Sequence, residues 1–171
     1  EARASAREPR PLTMTKANSR ATVHRDAHLD YVGVRTFDDA GEVTGEIRIL
    51  GLLTSSVYTT SVREIPVVRE KVQTVLDASG FSSTSHSGKD LVAVLENLPR
   101  DDLFQASASE LEAIAHEVLW IHSARRPSVI LRRDEFGRYI TLLVYLPRER
   151  FNTDLRLRIE ALLRDVLQGE F

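Results

Sequence analysis

Apolar positions recur every second residue in some stretches of this chain and every third or fourth in others, and the switches between the two periods mark out its elements. Residues 29–37 (LDYVGVRTF) are rich in β-branched and aromatic side chains and run into Asp38-Asp39-Ala40-Gly41, a turn signal. The pattern predicts a hairpin. Its return strand is residues 45–54 (GEIRILGLLT), where Ile47 and Ile49 share one face and Leu50 and Leu52 the other, which predicts cover on both sides. Residues 22–25 form a further β-prone piece, and Gly33 and Gly51 mark bulges or close backbone approach.

From Ile65 the period lengthens. Val68, Val72, Val75 and Leu76 fall on one helical stripe, with Pro66 suited to a first turn and Gly80 to a left-handed cap. Residues 87–98 repeat the pattern through Leu91, Val94, Leu95 and Leu98, stopped by Pro99. Beyond that, Leu103-Phe104-Gln105 is expected as a brief strand. Ser107 with Glu110 has capping-box spacing, and it opens a long helix through Leu111, Ile114, Ala115, Val118 and Leu119. Residues 128–133 (SVILRR) and 138–146 (RYITLLVYL) are strands around the tight turn Asp134-Glu135-Phe136-Gly137. Asn152 then caps a helix with the stripe Leu155, Ile159, Leu162, Leu163 and Val166, ended by Gly169. The order β-α-β-β-α is that of a ferredoxin-like unit lacking its last strand, which is expected beyond Phe171. The fold class is therefore α+β, antiparallel sheets with helices on one face. Its open sheet edge is expected to pair with a second copy or with further sequence.

Composition narrows the chemistry. The 171 residues include no Cys, which excludes disulfides, cysteine zinc sites and thiol nucleophiles and fits a cytoplasmic setting. Lys plus Arg total 23 against 25 Asp plus Glu, so no general field draws the chain to nucleic acid or anionic lipid. The apolar runs are far short of the roughly 20 residues that cross a bilayer, so no membrane partner is expected. Residues 1–21 are expected as a disordered leader, since their first part is rich in Arg and Pro without apolar periodicity. The chain starts at Glu1 and its one Met is Met14, as for a piece of a longer polypeptide.

No known chemical signature is complete. Gly88-Lys89 looks like the end of a phosphate loop, but Ser83 stands where its first glycine belongs and Asp90 where Ser or Thr belongs. No GxGxxG or GxSxG occurs, so neither a dinucleotide cofactor nor a hydrolase nucleophile has a place. His24 and His28 have a metal spacing only in a helix, and the segment is extended; no metal is expected. His116 and His122 lie on roughly opposite faces of their helix. Trp120 is expected in a core or an interface. Arg125, Arg126, Arg132, Arg133, Arg138, Arg148 and Arg150 gather at the hairpin ends. They either bind a carboxylate or phosphate bidentately, or form a solvated rim paired to Asp134, Glu135 and Glu149.

The phrases LPRDDLFQ (98–105), RRDEFGRY (132–139) and VYLPRERFNT (144–153) carry a resemblance that extends over nearly everything after the leader. The chain resembles the large bacterial NAD-specific glutamate dehydrogenases, within the regulatory region ahead of their catalytic domain. The resemblance implies a PAS-like portion with trailing helices over 22–100 and an incomplete ACT-like unit over 101–171. It also implies that oxidation of glutamate with NAD belongs to the parent protein, with no cofactor and no catalysis in this chain. ACT modules bind amino acids near the start of their first helix, which points to Gln105, Ala106 and Ser107, with Arg132 and Arg133 as further effector-binding candidates. The implied partners are other domains of the parent, a second copy in a homo-oligomer and an amino-acid effector. The alternatives are a purely structural oligomerisation module, or a nucleic-acid binder acting through the Arg-rich hairpin ends.

Overall fold

The computed structural model describes residues 9–23, 26–82 and 84–168. The chain forms two compact units, Glu1–His116 and Glu117–Phe171, divided within one long helix.

The first unit begins with an antiparallel meander of β1 (Leu12–Ala21), β2 (Ala27–Phe37) and β3 (Val43–Gly51), in that order. The expected disordered leader is corrected here: Leu12–Ala21 is a strand paired from Leu12 opposite Val34 to Ala21 opposite Ala27. Thr13 and Thr15 are buried on one face while Leu12 and Met14 alternate onto the other. The strand's partner lies across a turn, and the Arg and Pro before it hid an alternation of only a few residues. The first eight residues of that leader lie outside the described residues. So do His24 and Arg25 of the short β-prone piece, whose Thr22 and Val23 fall in the turn after β1 rather than in a strand.

At Gly33 a Cβ would stand 2.1 Å from the Glu46 carboxylate, a side-chain neighbour rather than backbone, and Gly51 has open space around it. Neither marks a bulge: the register shifts fall between Lys16 and Arg20 and between Thr36 and Phe37. The expected cover on both faces of the return strand is absent among the described residues, because Ile47, Ile49 and Leu50 are all exposed.

Five helices follow: α1 (Ser55–Thr59), α2 (Val68–Ser79), α3 (His86–Asn97), α4 (Arg100–Gln105) and α5 (Ala108–Ala124), the last crossing into the second unit. The α2 stripe is buried as Val68, Val72 and Val75, and Gly80 caps it at φ +65°. Leu91 and Leu95 of α3 are fully buried, as are Val62, Leu103 and Leu111. Full burial of each such side chain is worth about 1.5–3 kcal/mol.

Residues 103–105, expected as a strand, are helical in α4. Pro99 stands at its N-cap, and Asp101 and Asp102 occupy the first turn, where carboxylates suit the positive end of the helix. Its other end is closed from outside: the Lys71 ammonium donates to the carbonyls of Leu103 (3.2 Å), Phe104 (2.7 Å) and Ala106 (2.7 Å). Those carbonyls include orphans that every helix end leaves. Glu96 ties the preceding loop to α3, accepting from Ser61 Oγ (2.6 Å) and the Val62 amide (3.2 Å), with Arg100 at 3.5 Å.

The second unit contains the end of α5, the hairpin β4 (Ser128–Arg133) and β5 (Ile140–Tyr145), a 3-10 turn (Arg148–Arg150) and α6 (Thr153–Leu167). Ser128 pairs with Tyr145 and Leu131 with Leu142. Gly137 holds φ +66°, and the buried Asp134 carboxylate accepts from the amides of Phe136 (3.2 Å) and Arg138 (3.3 Å), which fixes the turn. Asn152 caps α6 by accepting from the Leu155 amide at 2.8 Å. The helix ends at the left-handed Gln168; Gly169, its expected stop, lies outside the described residues. The α+β class with antiparallel sheets stands.

Lys71→Met should lower stability by roughly 2–3 kcal/mol, since bonds from a charged donor are worth about 1.5–3 kcal/mol and the carbonyls are left unpaired. The urea midpoint of the chain measures it. Burial opposes the Glu96 charge, but the Ser61 hydroxyl, the Val62 amide and Arg100 outweigh it and hold the carboxyl below its ordinary 4.5. A lowered carboxylate stabilises the fold above pH 4.5 and stops doing so as pH falls through the lowered value. Glu96→Gln should therefore flatten the acid limb of a plot of urea midpoint against pH.

Candidate functional site

Gln105, Ala106 and Ser107 form the joint between α4 and α5. Ala106 is fully buried, and its carbonyl is one of the three held by Lys71. The Ser107 amide and hydroxyl both donate to the Glu110 carboxylate, at 2.7 and 2.8 Å, while the Glu110 amide donates back to Ser107 Oγ at 3.2 Å. This is the capping box expected from the spacing. It places the protein's own carboxylate on the Ser107 N–H, so an effector carboxylate binding that group would have to displace Glu110.

Arg132 and Arg133 are neighbours on β4, so their side chains leave opposite faces of the hairpin. Arg132 lies opposite Thr141 on the face of the buried Ile130; Arg133 lies opposite Ile140 on the exposed face. They cannot clamp one carboxylate together. The expected pairing of the basic rim is realised at Arg138, whose Nε donates to Asp134 at 3.0 Å and whose guanidinium lies 5.0 Å from the Phe136 ring centre.

The first unit also holds an open cavity of about 670 Å³ along α2, lined by Arg63, Arg69, Glu70, Gln73, Asp77 and Phe81. Its charges balance. Phe81 packs against His116 with ring centres 6.3 Å apart. Gly88 is confined there, since a Cβ would meet the Ser82 carbonyl at 2.2 Å; the glycine thus serves packing at the start of α3.

Sequence reasoning missed two links made by lysines. Lys16 of β1 reaches Asp30 of β2 at 2.6 Å and Asp101 of α4 at 3.0 Å. Burial works against its charge, yet the two carboxylates outweigh it and raise the ammonium above its ordinary value. Lys71 is the other. No local spacing signals either link, because their partners lie far along the chain. His28 Nδ1 lies 3.1 Å from the Ala17 carbonyl; His24, four positions before it, is outside the described residues, among which no metal-holding cluster occurs. Trp120 is exposed, so it is not a core residue. No helix among the described residues is long and apolar enough to cross a membrane.

A run of packed helices followed by an antiparallel hairpin and an amphipathic helix describes an α+β protein with a helical module and an ACT-like module. Two family descriptions match those parts: "Glutamate dehydrogenase, helical motif 1" over residues 65–124 and "Glutamate dehydrogenase, ACT2 domain" over residues 128–171. The chain is 45% identical over 163 residues to an NAD-specific glutamate dehydrogenase of Pseudomonas aeruginosa and 41% identical over 163 residues to one of Halomonas elongata. Both alignments cover 95% of this chain and 10% of the relative. A Mycobacterium tuberculosis protein of the same name is 32% identical over 160 residues, 94% of this chain and 9% of its own. The chain belongs to the NAD-specific glutamate dehydrogenase family, and it spans about a tenth of the length of these relatives.

Ser107→Ala should cost about 1 kcal/mol, the usual worth of an N-cap, as read from the urea midpoint.

Proposed function

We propose that this chain is a non-catalytic regulatory and assembly segment of an NAD-dependent glutamate dehydrogenase, whose parent protein deaminates glutamate to 2-oxoglutarate and binds NAD in another part of the polypeptide. The observation that carries the assembly part is the uncovered apolar face of the hairpin. Val129, Leu131, Ile140 and Val144 share that face and are each more than a third exposed. Apolar area left in water on a sheet with unpaired edges favours association with a complementary surface. Leu162 and Val166 of α6 are exposed as well. The surface is proposed to be covered by a second copy of this unit or by a neighbouring module of the parent.

The regulatory part rests on the family and its ACT2 module. An amino-acid effector is its natural ligand class, and calorimetric titration of the chain with aspartate, arginine and glutamate tests it.

Light scattering on the isolated chain should show a concentration-dependent rise in mass toward a dimer. Leu131→Lys, placing a charge in the middle of the exposed face, should return the chain to monomer with its circular dichroism unchanged. A wild-type chain that stays monomeric at the highest soluble concentration removes the second-copy form of the proposal.

A further inference from the structure

The geometry points to an anion-binding site in the second unit, where the end of α5 meets the end of β5, built to take a compact polyanion bearing phosphate or carboxylate oxygens. A cavity of about 260 Å³ opens there, lined by Arg125, Arg126, Arg148, His122, Tyr145 and Glu149. Three guanidiniums against one carboxylate leave two net positive charges. Among the described residues no acidic group lies within ion-pair distance of any of the three. Asp134, which a self-neutralised rim would use, is committed to Arg138. Guanidiniums present a planar fork that matches carboxylate and phosphate oxygens.

The backbone sets where these three exposed side chains start. Arg125 holds φ +51°, with its amide donating to the Ile121 carbonyl at 3.0 Å, a left-handed cap that turns Arg125 and Arg126 out of the helix. Arg148 is the first residue of the 3-10 turn, after Pro147 at φ −55°, and its carbonyl is bonded by the Phe151 amide at 3.2 Å. The Tyr145 and His122 rings meet edge-on with centres 6.0 Å apart. Burial raises the Tyr145 phenol, so it stays a neutral O–H donor at physiological pH.

The helix end works the other way. Its free carbonyls carry about half a negative charge, which welcomes cations and repels an anion, but three full charges exceed it. Size limits the ligand, since pockets for drug-sized molecules run roughly 300–1,000 Å³ and this one is smaller. A phosphate, a diphosphate or a short dicarboxylate fits. This inference does not depend on the assembly reading.

The test is calorimetric titration of the 171-residue chain at fixed ionic strength with inorganic phosphate, pyrophosphate and succinate, alongside NMR of the His122 and Tyr145 rings. Saturable heat with movement of both ring signals is expected, and the preferred ligand separates phosphoryl from carboxylate sources. Arg126→Gln with Arg148→Gln should weaken binding at least about tenfold, given the worth of bonds from charged donors. Glu149→Gln should tighten it about threefold by removing a like charge, an effect that loss of folding cannot mimic. No saturation by about 10 mM of any of the three, beyond the millimolar range of weak sites, overturns the site. So does binding that neither variant changes.

Discussion

One ammonium group governs how the helices of the first unit meet. Lys71 stands on α2, and the carbonyls it bonds belong to the last turn of α4 and the joint before α5. A six-residue helix is too short to persist alone, because nucleation costs more than one or two turns return. With its last carbonyls bonded to a charge and its Leu103 and Phe104 buried, α4 becomes a fixed part of the core. That in turn places Ser107, so that α5 can start at a satisfied cap.

The second unit is built on a different balance. Its turn, its caps and its register are all locally satisfied, yet α6 buries no residue fully and one face of the hairpin stays in water. A unit this small has little interior to offer. Local bonds set its shape while its apolar hairpin face stays in solvent, and this is the surface that the proposed assembly role would cover.

What could be read in the sequence was whatever is written locally. The box of Ser107 with Glu110, the Asn152 cap, the Gly80 and Gly137 turns and the valine stripe of α2 all depend on residues within a few positions of one another. The misreadings were non-local. Leu12–Ala21 is a strand because β2 pairs with it, and Leu103 to Gln105 are helical because a lysine some thirty positions earlier closes the helix. At the candidate site, the sequence located the basic hairpin ends but could not show that alternation splits Arg132 from Arg133. Nor could it show that Arg138 takes Asp134 and leaves Arg125, Arg126 and Arg148 around a cavity.

Trp120 is the single tryptophan of the chain, and it stands on α5 with 61% of its surface in solvent. Indole emission shifts to shorter wavelength when water leaves the ring, so this chain carries an intrinsic optical reporter at one known position. Any contact that covers that stretch of α5 announces itself as a blue shift, without a label and without altering a residue.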